Sequence, residues 1–499
     1  MARFDLEHEV QDESVLRRTA QHLRSAGILL PTFSQLASPK TIPSRVQDSL
    51  ADVDPDAPHP LNLFRVHWNN SAERRSQVEV PEFLLLEEPL TGVPAPIVLA
   101  LGNRFPLIRA HKVLAAYACL IPRLVTGRFD PTQDRALWPS TGNYCRGGVA
   151  ISRILGCRGV AILPQGMSQE RFRWLEEWVV APEDIVRTPG SESNVKEIYD
   201  RCDELGEDPH HVVLNQFSEF CNHLVHYLCT GKALERIFVA LQERDSRLRL
   251  AAFVSATGSA GTIGAGDYLK EQYNAKIVAV EPVECPTMLY NGFGAHNIQG
   301  IGDKHIPLIH NVTNTDVVAA ISDRHTDALS VLFASEAGRA YLGQERQVPA
   351  HVIAGLSNLG LSSICNLLAA IKVARRLRLG KHDVILTVAT DGAELYASER
   401  RRILAHSYAD GFHEPQAEKV FAEAILELED EHWLELTPSD RDRIFNLGYF
   451  TWVEQRGISP EDFSVRREQK FWRKLRDFLP LWDHAIEELN SRAQAAELG

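Results

Sequence analysis

Leu250-Ala-Ala-Phe-Val254 runs directly into Ser255-Ala-Thr-Gly-Ser-Ala-Gly-Thr-Ile-Gly264, and the reading of this junction decides the fold. An apolar, strand-like run ends in a cluster of small residues, and a helical pattern follows toward Lys270. Small residues let consecutive backbone N–H groups converge on an anion, while the positive end of the next helix faces the same point. An ordinary strand–turn–helix junction has a similar composition, so the loop alone does not decide between the two. It lacks the Walker lysine and the spacing of a dinucleotide fingerprint.

On either side of this loop, short β-branched runs alternate with helical patterns: Val160–Leu163, Ile185–Val186, Val212–Leu214, Ile277–Val280 and Val384–Val388. That alternation predicts an α/β fold with mostly parallel sheets covered by helices. Ligands of such sheets sit beyond the carboxyl ends of the strands, where residues 255–264 lie. The flanks differ. Residues 1–75 form a lead-in with one clear helix, Ser14 to Ala26, closed by Gly27. From about residue 400 the pattern becomes helical and acidic, with Trp433, Phe445, Trp452, Trp472 and Trp482 spread through it.

The chain has 499 residues, 44% of them hydrophobic, enough for a large core and more than one domain. A net charge of −13 argues against a nucleic-acid partner or an anionic membrane surface. No apolar run approaches the roughly eighteen residues needed to span a bilayer, and Met1–Gln11 shows no signal-peptide core, so a cytoplasmic location is expected. The eight cysteines show neither a CxxC pair nor zinc spacing. They are expected to be buried free thiols, with no metal.

Two further stretches carry chemistry. Lys112 opens a strongly apolar helix in Pro106-Leu-Ile-Arg-Ala-His-Lys-Val-Leu-Ala-Ala-Tyr117. Desolvation lowers an amine's pKa and frees it for Schiff-base chemistry; the alternative is an ammonium that snorkels to solvent. Pro139-Ser-Thr-Gly-Asn-Tyr-Cys-Arg-Gly148 precedes an apolar helix from Val149 to Leu155. Its hydroxyls and free N–H groups suit a carboxylate, although Ser, Thr and Asn are also ordinary helix caps.

Taken in order, these stretches resemble the fold type II pyridoxal-phosphate enzymes, specifically the cysteine synthase (O-acetylserine sulfhydrylase) and cystathionine β-synthase family, over roughly residues 80–400. Asn103-Arg-Phe-Pro-Leu-Ile-Arg-Ala-His-Lys112 is similar to the family's Asn-Pro-x-x-Ser-x-Lys, and Ser140-Thr-Gly-Asn-Tyr-Cys145 to its Thr-Ser-Gly-Asn-Thr-Gly. Asn215-Gln-Phe217 resembles Gln-Gln-Phe, and Gly258-Ser-Ala-Gly-Thr262 resembles the phosphate loop Gly-Thr-Gly-Gly-Thr. Ile277-Val-Ala-Val-Glu-Pro282, Ile298-Gln-Gly-Ile-Gly302 and Gly360-Leu-Ser-Ser363 match the remaining elements.

The resemblance implies a tryptophan synthase β-like architecture: a smaller mobile subdomain at about 105–222, a larger cofactor subdomain at about 76–104 and 223–400, and a helical C-terminal extension over 401–499. It implies pyridoxal 5'-phosphate as cofactor, with Lys112 as the Schiff-base lysine that also moves the Cα proton. Asn143 would meet the cofactor's 3′-oxygen, and Gly258, Ser259, Ala260, Gly261 and Thr262 its phosphate. Ser362 would face the pyridine nitrogen, with Ser363 as fallback, unless both simply cap the helix. The substrate carboxylate would lie against Ser140, Thr141, Gly142, Asn143, Tyr144 and Gln216. The implied activity is β-elimination or β-replacement through an aminoacrylate on a small L-amino acid with a Cβ leaving group. A cysteine desulfhydrase, a serine/threonine-type dehydratase or a catalytically silent relative are the alternatives. A homodimer is expected.

Four departures from the family pattern carry their own expectations. Tyr144 replaces a threonine, and Ala260 replaces a glycine and is tolerable only if it avoids positive φ. Arg146 either receives an acidic substrate group or lies on the surface at a helix start, the plainer reading. The Asp303-Lys-His305 run is either an acid/base set or a solvated loop, and its polarity points to the loop.

Overall fold

The computed structural model describes Phe4 and residues 6–495. Eleven strands form two sheets: β1 (Phe83–Leu86), β2 (Ile97–Leu101), β3 (Arg135–Pro139), β4 (Arg158–Pro164), β5 (Ile185–Thr188), β6 (His211–Val213), β7 (Arg249–Ala256), β8 (Lys276–Pro282), β9 (Val317–Ile321), β10 (Asp383–Ala389) and β11 (Trp433–Glu435). The larger sheet runs β1-β2-β10-β7-β8-β9-β11, parallel from β2 to β9 and antiparallel at both edges. The smaller one, β5-β4-β3-β6, is wholly parallel.

Strands β2, β9 and β10 are buried at every residue, as expected for parallel strands covered by helices on both faces. The fold class read from the sequence therefore holds. β7 ends at Ala256 in the centre of the larger sheet, and the helix Ile263–Tyr273 follows, so residues 257–262 lie at the carboxyl edge of the sheet.

The C-terminal region is mostly helical, but it also supplies β11, which pairs with β9 and closes one edge of the larger sheet. It is not a detached layer. Trp452, Trp472 and Trp482 are fully buried in the same core that holds Val113 and Ala260. The lead-in helix Glu13–Ser25 is capped by Asp12 and joins this core through Leu16 and Leu23. The two ends of the chain are stitched together: Asp483 accepts hydrogen bonds from the Phe33 and Ser34 N–H groups, and Asn490 exchanges hydrogen bonds with the Leu30 backbone. Ending the chain after Ser398 would strip cover from apolar surface far beyond what a soluble monomer tolerates. Such a variant is expected in the insoluble fraction on expression; soluble, cofactor-binding protein would refute a structural role for the tail.

Candidate active site

Lys112 is the first residue of the helix Lys112–Val125, every later residue of which is buried. Its Nζ donates to Gln216 Oε1 and to Ser259 Oγ, each at 3.0 Å. Burial pulls its pKa down to about 8. The lysine therefore does not snorkel. Asn222 ties its two partners together, donating to the Gln216 carbonyl at 3.0 Å and to Ser259 Oγ at 3.1 Å.

Beside Lys112, the backbone N–H groups of residues 258–262 donate to no other described residue, whereas Thr257 and Ile263 on either side are satisfied. Five consecutive unpaired donors at the start of an eleven-residue helix fit a phosphate. The glycines are required there. A Cβ on Gly258 would lie 2.6 Å from the Gly300 carbonyl oxygen, and one on Gly261 would lie 2.4 Å from Asn222 Oδ1.

Ala260 adopts φ +60°, contrary to the expectation that a methyl-bearing residue here would avoid the left-handed region. The loop needs that conformation to turn its N–H groups inward. Ala260→Gly is expected to raise stability by about 0.5–1 kcal/mol, read as a higher urea midpoint at unchanged slope. A lower midpoint would count against the strain.

The second predicted loop closes the other side. Ser140 and Thr141 follow β3, and the helix Asn143–Leu155 begins at Asn143, six residues earlier than its apolar pattern indicates. Ser140, Thr141, Asn143 and Tyr144 line one cavity with Lys112 and Gln216. Gly258 to Thr262 and Ser362 line the same cavity. Gly142 does not: its φ is +152° and a Cβ there would strike Arg171, so it serves a close approach on the far side of the loop. Tyr144 turns its hydroxyl away to donate to the Leu214 carbonyl at 3.0 Å, with its ring edge against Trp138. Neither Ser362 nor Ser363 caps its helix. Gly360 holds that position without a side-chain hydrogen bond.

Asn143 is held at both ends. Its Nδ2 donates to Asp391 at 2.6 Å, and its Oδ1 accepts from Arg146 at 2.9 Å. The plainer reading of Arg146 as a surface residue is thus wrong: it is 2% exposed and lies 4.9 Å over the Trp174 ring. The solvated-loop reading of Asp303-Lys-His305 also fails. Only Lys304 is exposed; Asp303 lines the cavity, and the His305 ring packs against Phe217, Tyr199 and Trp452.

Other residues at the site escaped the sequence reading. Glu192 follows β5, accepts the Thr141 hydroxyl and lines the cavity, as does Thr390 at the end of β10. Burial pushes Glu192 up to about 7 and Asp303 well above the carboxylate range. His111 stays neutral because burial drops its pKa to about 3. All eight cysteines are buried and free.

Residues 103–391 match the family model described as pyridoxal-phosphate dependent enzyme. A cysteine synthase of Staphylococcus aureus is 30% identical over 274 residues, covering 54% of this chain and 78% of the relative. Cysteine synthase B of Campylobacter jejuni is 31% identical over 257 residues, 50% and 75% of the two chains. Among solved structures, the O-acetylserine dependent cystathionine beta-synthase of Helicobacter pylori superposes with a TM-score of 0.52 at 22% identity, over 64% of this chain and 94% of that one. A hydrogen sulfide-producing enzyme of Fusobacterium nucleatum does so with a TM-score of 0.52 at 22% identity, over 63% and 96%. At that identity the two structures speak to the fold.

Proposed function

Because the chain belongs to the pyridoxal-phosphate dependent enzymes, we propose that this cavity carries out β-elimination or β-replacement on a small L-amino acid bearing a Cβ leaving group. The observation that carries the reading is the meeting of a low-pKa lysine with five unpaired N–H groups in one cavity. Bound there, pyridoxal 5'-phosphate supplies a conjugated ring that takes up the electron pair left at Cα.

The residues divide the remaining work. Residues 258–262 hold the phosphate through their N–H groups. Lys112, with its amine freed by burial, would hold the cofactor covalently and would move the Cα proton. Gln216 and Ser259 hold the Lys112 nitrogen in place between these tasks. Asn143, fixed by Asp391 and Arg146, keeps one amide N–H for the ring's hydroxyl side. Ser362, which lines the cavity together with Thr390, offers a hydroxyl rather than a carboxylate to the ring nitrogen. That choice weakens the electron sink and favours loss of a Cβ group over transamination. Ser140 and Thr141, with the amino end of the helix Asn143–Leu155, take the substrate carboxylate and so fix the direction of the Cα–H bond.

The proposal extends to a smaller subdomain at about 105–222 moving against a larger one at about 76–104 and 223–400. The containment of the four-stranded sheet within residues 135–213 supports it. It also extends to a cytoplasmic homodimer. The eight reduced, buried thiols support the location, and no described helix is long and apolar enough to cross a membrane. Exposed Tyr290 and Phe293 support a partner surface. Sedimentation as a monomer would count against the dimer.

Purified protein mixed with pyridoxal 5'-phosphate should turn yellow and keep its colour through gel filtration. Cysteine, serine or O-acetylserine, added singly, should shift the visible band and release a keto acid, or a new amino acid when sulfide is present. A protein that stays colourless would sink the reading.

A further inference from the structure

The cavity that would receive the substrate contains two acids with spare capacity. Glu192 is 1% exposed and one of its oxygens accepts the Thr141 hydroxyl. The other, Oε2, is buried and makes no well-formed hydrogen bond to a described residue, although the Gly300 N–H also acts on this carboxyl, and the side chain lines the cavity. Asp303 is pinned by its backbone. The preceding Gly302, at φ +82°, donates its N–H to the Thr257 carbonyl at 2.9 Å, and the Asp303 carbonyl accepts the Thr287 hydroxyl at 2.9 Å. Its carboxyl, by contrast, receives no hydrogen bond from any described residue and lines the cavity with Lys112.

Two carboxyls facing one substrate site restrict what can bind beside them. A phosphate, sulfonate or carboxylate on Cβ would meet the Glu192 carboxyl, which carries negative charge above about pH 7, and an acyl ester has no proton to offer it. A free hydroxyl or thiol can donate to Glu192 Oε2 and accept from Asp303. We propose that Glu192 and Asp303 select a small L-amino acid with a free hydroxyl or thiol on Cβ, and that Asp303 hands this group a proton as it departs. The proposal rests on the reading of the cavity given above and narrows its substrate class.

Lys112 Nζ takes the Cα proton; the Cβ–oxygen or Cβ–sulfur bond breaks with its electron pair going to the heteroatom. The Asp303 O–H bond breaks and its proton goes to the same atom, so water or hydrogen sulfide leaves and Asp303 remains as carboxylate. The 2-aminoacrylate fragment takes up its Cβ proton as the imine, water adds to the imine carbon and ammonia leaves, giving the 2-keto acid; the proton held by Lys112 returns to Asp303, and no oxidant or reductant is needed. Burial and the neighbouring Glu192 charge keep Asp303 protonated further up the pH scale than an exposed aspartate.

The test uses holoenzyme with serine, cysteine and O-acetylserine, measuring keto-acid release and, from the cofactor's absorbance, substrate Kd. Wild type should favour serine or cysteine over O-acetylserine by about tenfold or more in kcat/KM. Asp303→Asn should cut kcat for serine by ~10²–10⁴-fold, the range of a lost general acid, while Kd stays within about threefold. The loss should shrink from serine to cysteine to O-acetylserine as the departing group becomes less basic. Equal losses for all three, or a wild-type preference for O-acetylserine, would overturn the assignment. Should Asp303→Asn fail to fold, Glu192→Gln carries the test: Kd for serine should rise about tenfold, and an unchanged Kd would overturn the role of Glu192. A protein that takes up no cofactor is recognised before substrate is added, and overturns the reading of the cavity itself.

Discussion

Lys112→Ala is expected to give a folded, colourless protein whose turnover falls by ~10³-fold or more, since one amine serves as both nucleophile and proton carrier. Folding should survive. The side chain makes two hydrogen bonds, to Gln216 and Ser259, and its removal also relieves the burial of a cation, so stability should change by about 1 kcal/mol or less. Lys112→Arg should be colourless as well, because a guanidinium does not offer a free amine. Among the described residues Lys372 is also pulled to about 8 by burial and so serves as an internal control. Its Nζ donates to the Ala320 and Glu431 carbonyls at 2.9 and 2.8 Å, away from the cavity, and Lys372→Met should keep its colour. A visible band that survives Lys112→Ala would assign the chemistry to another lysine.

The same lysine fixes a pH dependence. Only the unprotonated amine attacks a carbonyl, and its fraction rises with pH through the folded pKa of about 8 rather than the ordinary 10.5. Capture of cofactor by apoprotein should therefore quicken from about pH 7 to about pH 9 and then level off. A rate that keeps climbing beyond about pH 10 would mean that Lys112 is not desolvated when the cofactor arrives.

What the sequence revealed and what it hid follow one physical distinction. The phosphate loop was legible because its requirements are local: small residues, free N–H groups and a helix behind them. The Lys112 helix was legible because thirteen consecutive buried residues leave an apolar run that needs no partner to be recognised. Glu192, Asp303 and Arg146 were not legible, because their burial comes from residues far away in the chain. Asp303 sits among polar neighbours that look solvated, yet Thr287 takes its carbonyl and Trp452 from the C-terminal region covers the adjacent His305. β11 was hidden for the same reason: three residues become a strand only by pairing with β9, over a hundred positions earlier. Ala260 shows the limit of a local rule, since the φ it was expected to avoid is the one the loop imposes.

Asp391 carries the second large effect, and it is a structural one. It follows β10 of the larger sheet and is fully buried, accepting the Asn143 amide at 2.6 Å and the Tyr396 hydroxyl at 2.9 Å, with Arg171 at 3.8 Å. Asn143 and Arg171 follow β3 and β4 of the smaller sheet, so one carboxylate binds the two sheets' loops together. Asp391→Ala would leave buried Arg171 and Arg146 short of countercharge and free the Asn143 amide, at an expected loss of ~3–5 kcal/mol. Asp391→Asn keeps the shape and one acceptor and should cost about 1–2 kcal/mol, which separates charge from packing. The readouts are the urea midpoint of the apoprotein and the cofactor Kd of whatever remains folded. If Asp391→Ala keeps the wild-type midpoint, the clamp holds nothing together. If it loses stability while its cofactor Kd stays unchanged, Asn143 does not depend on Asp391 for its position.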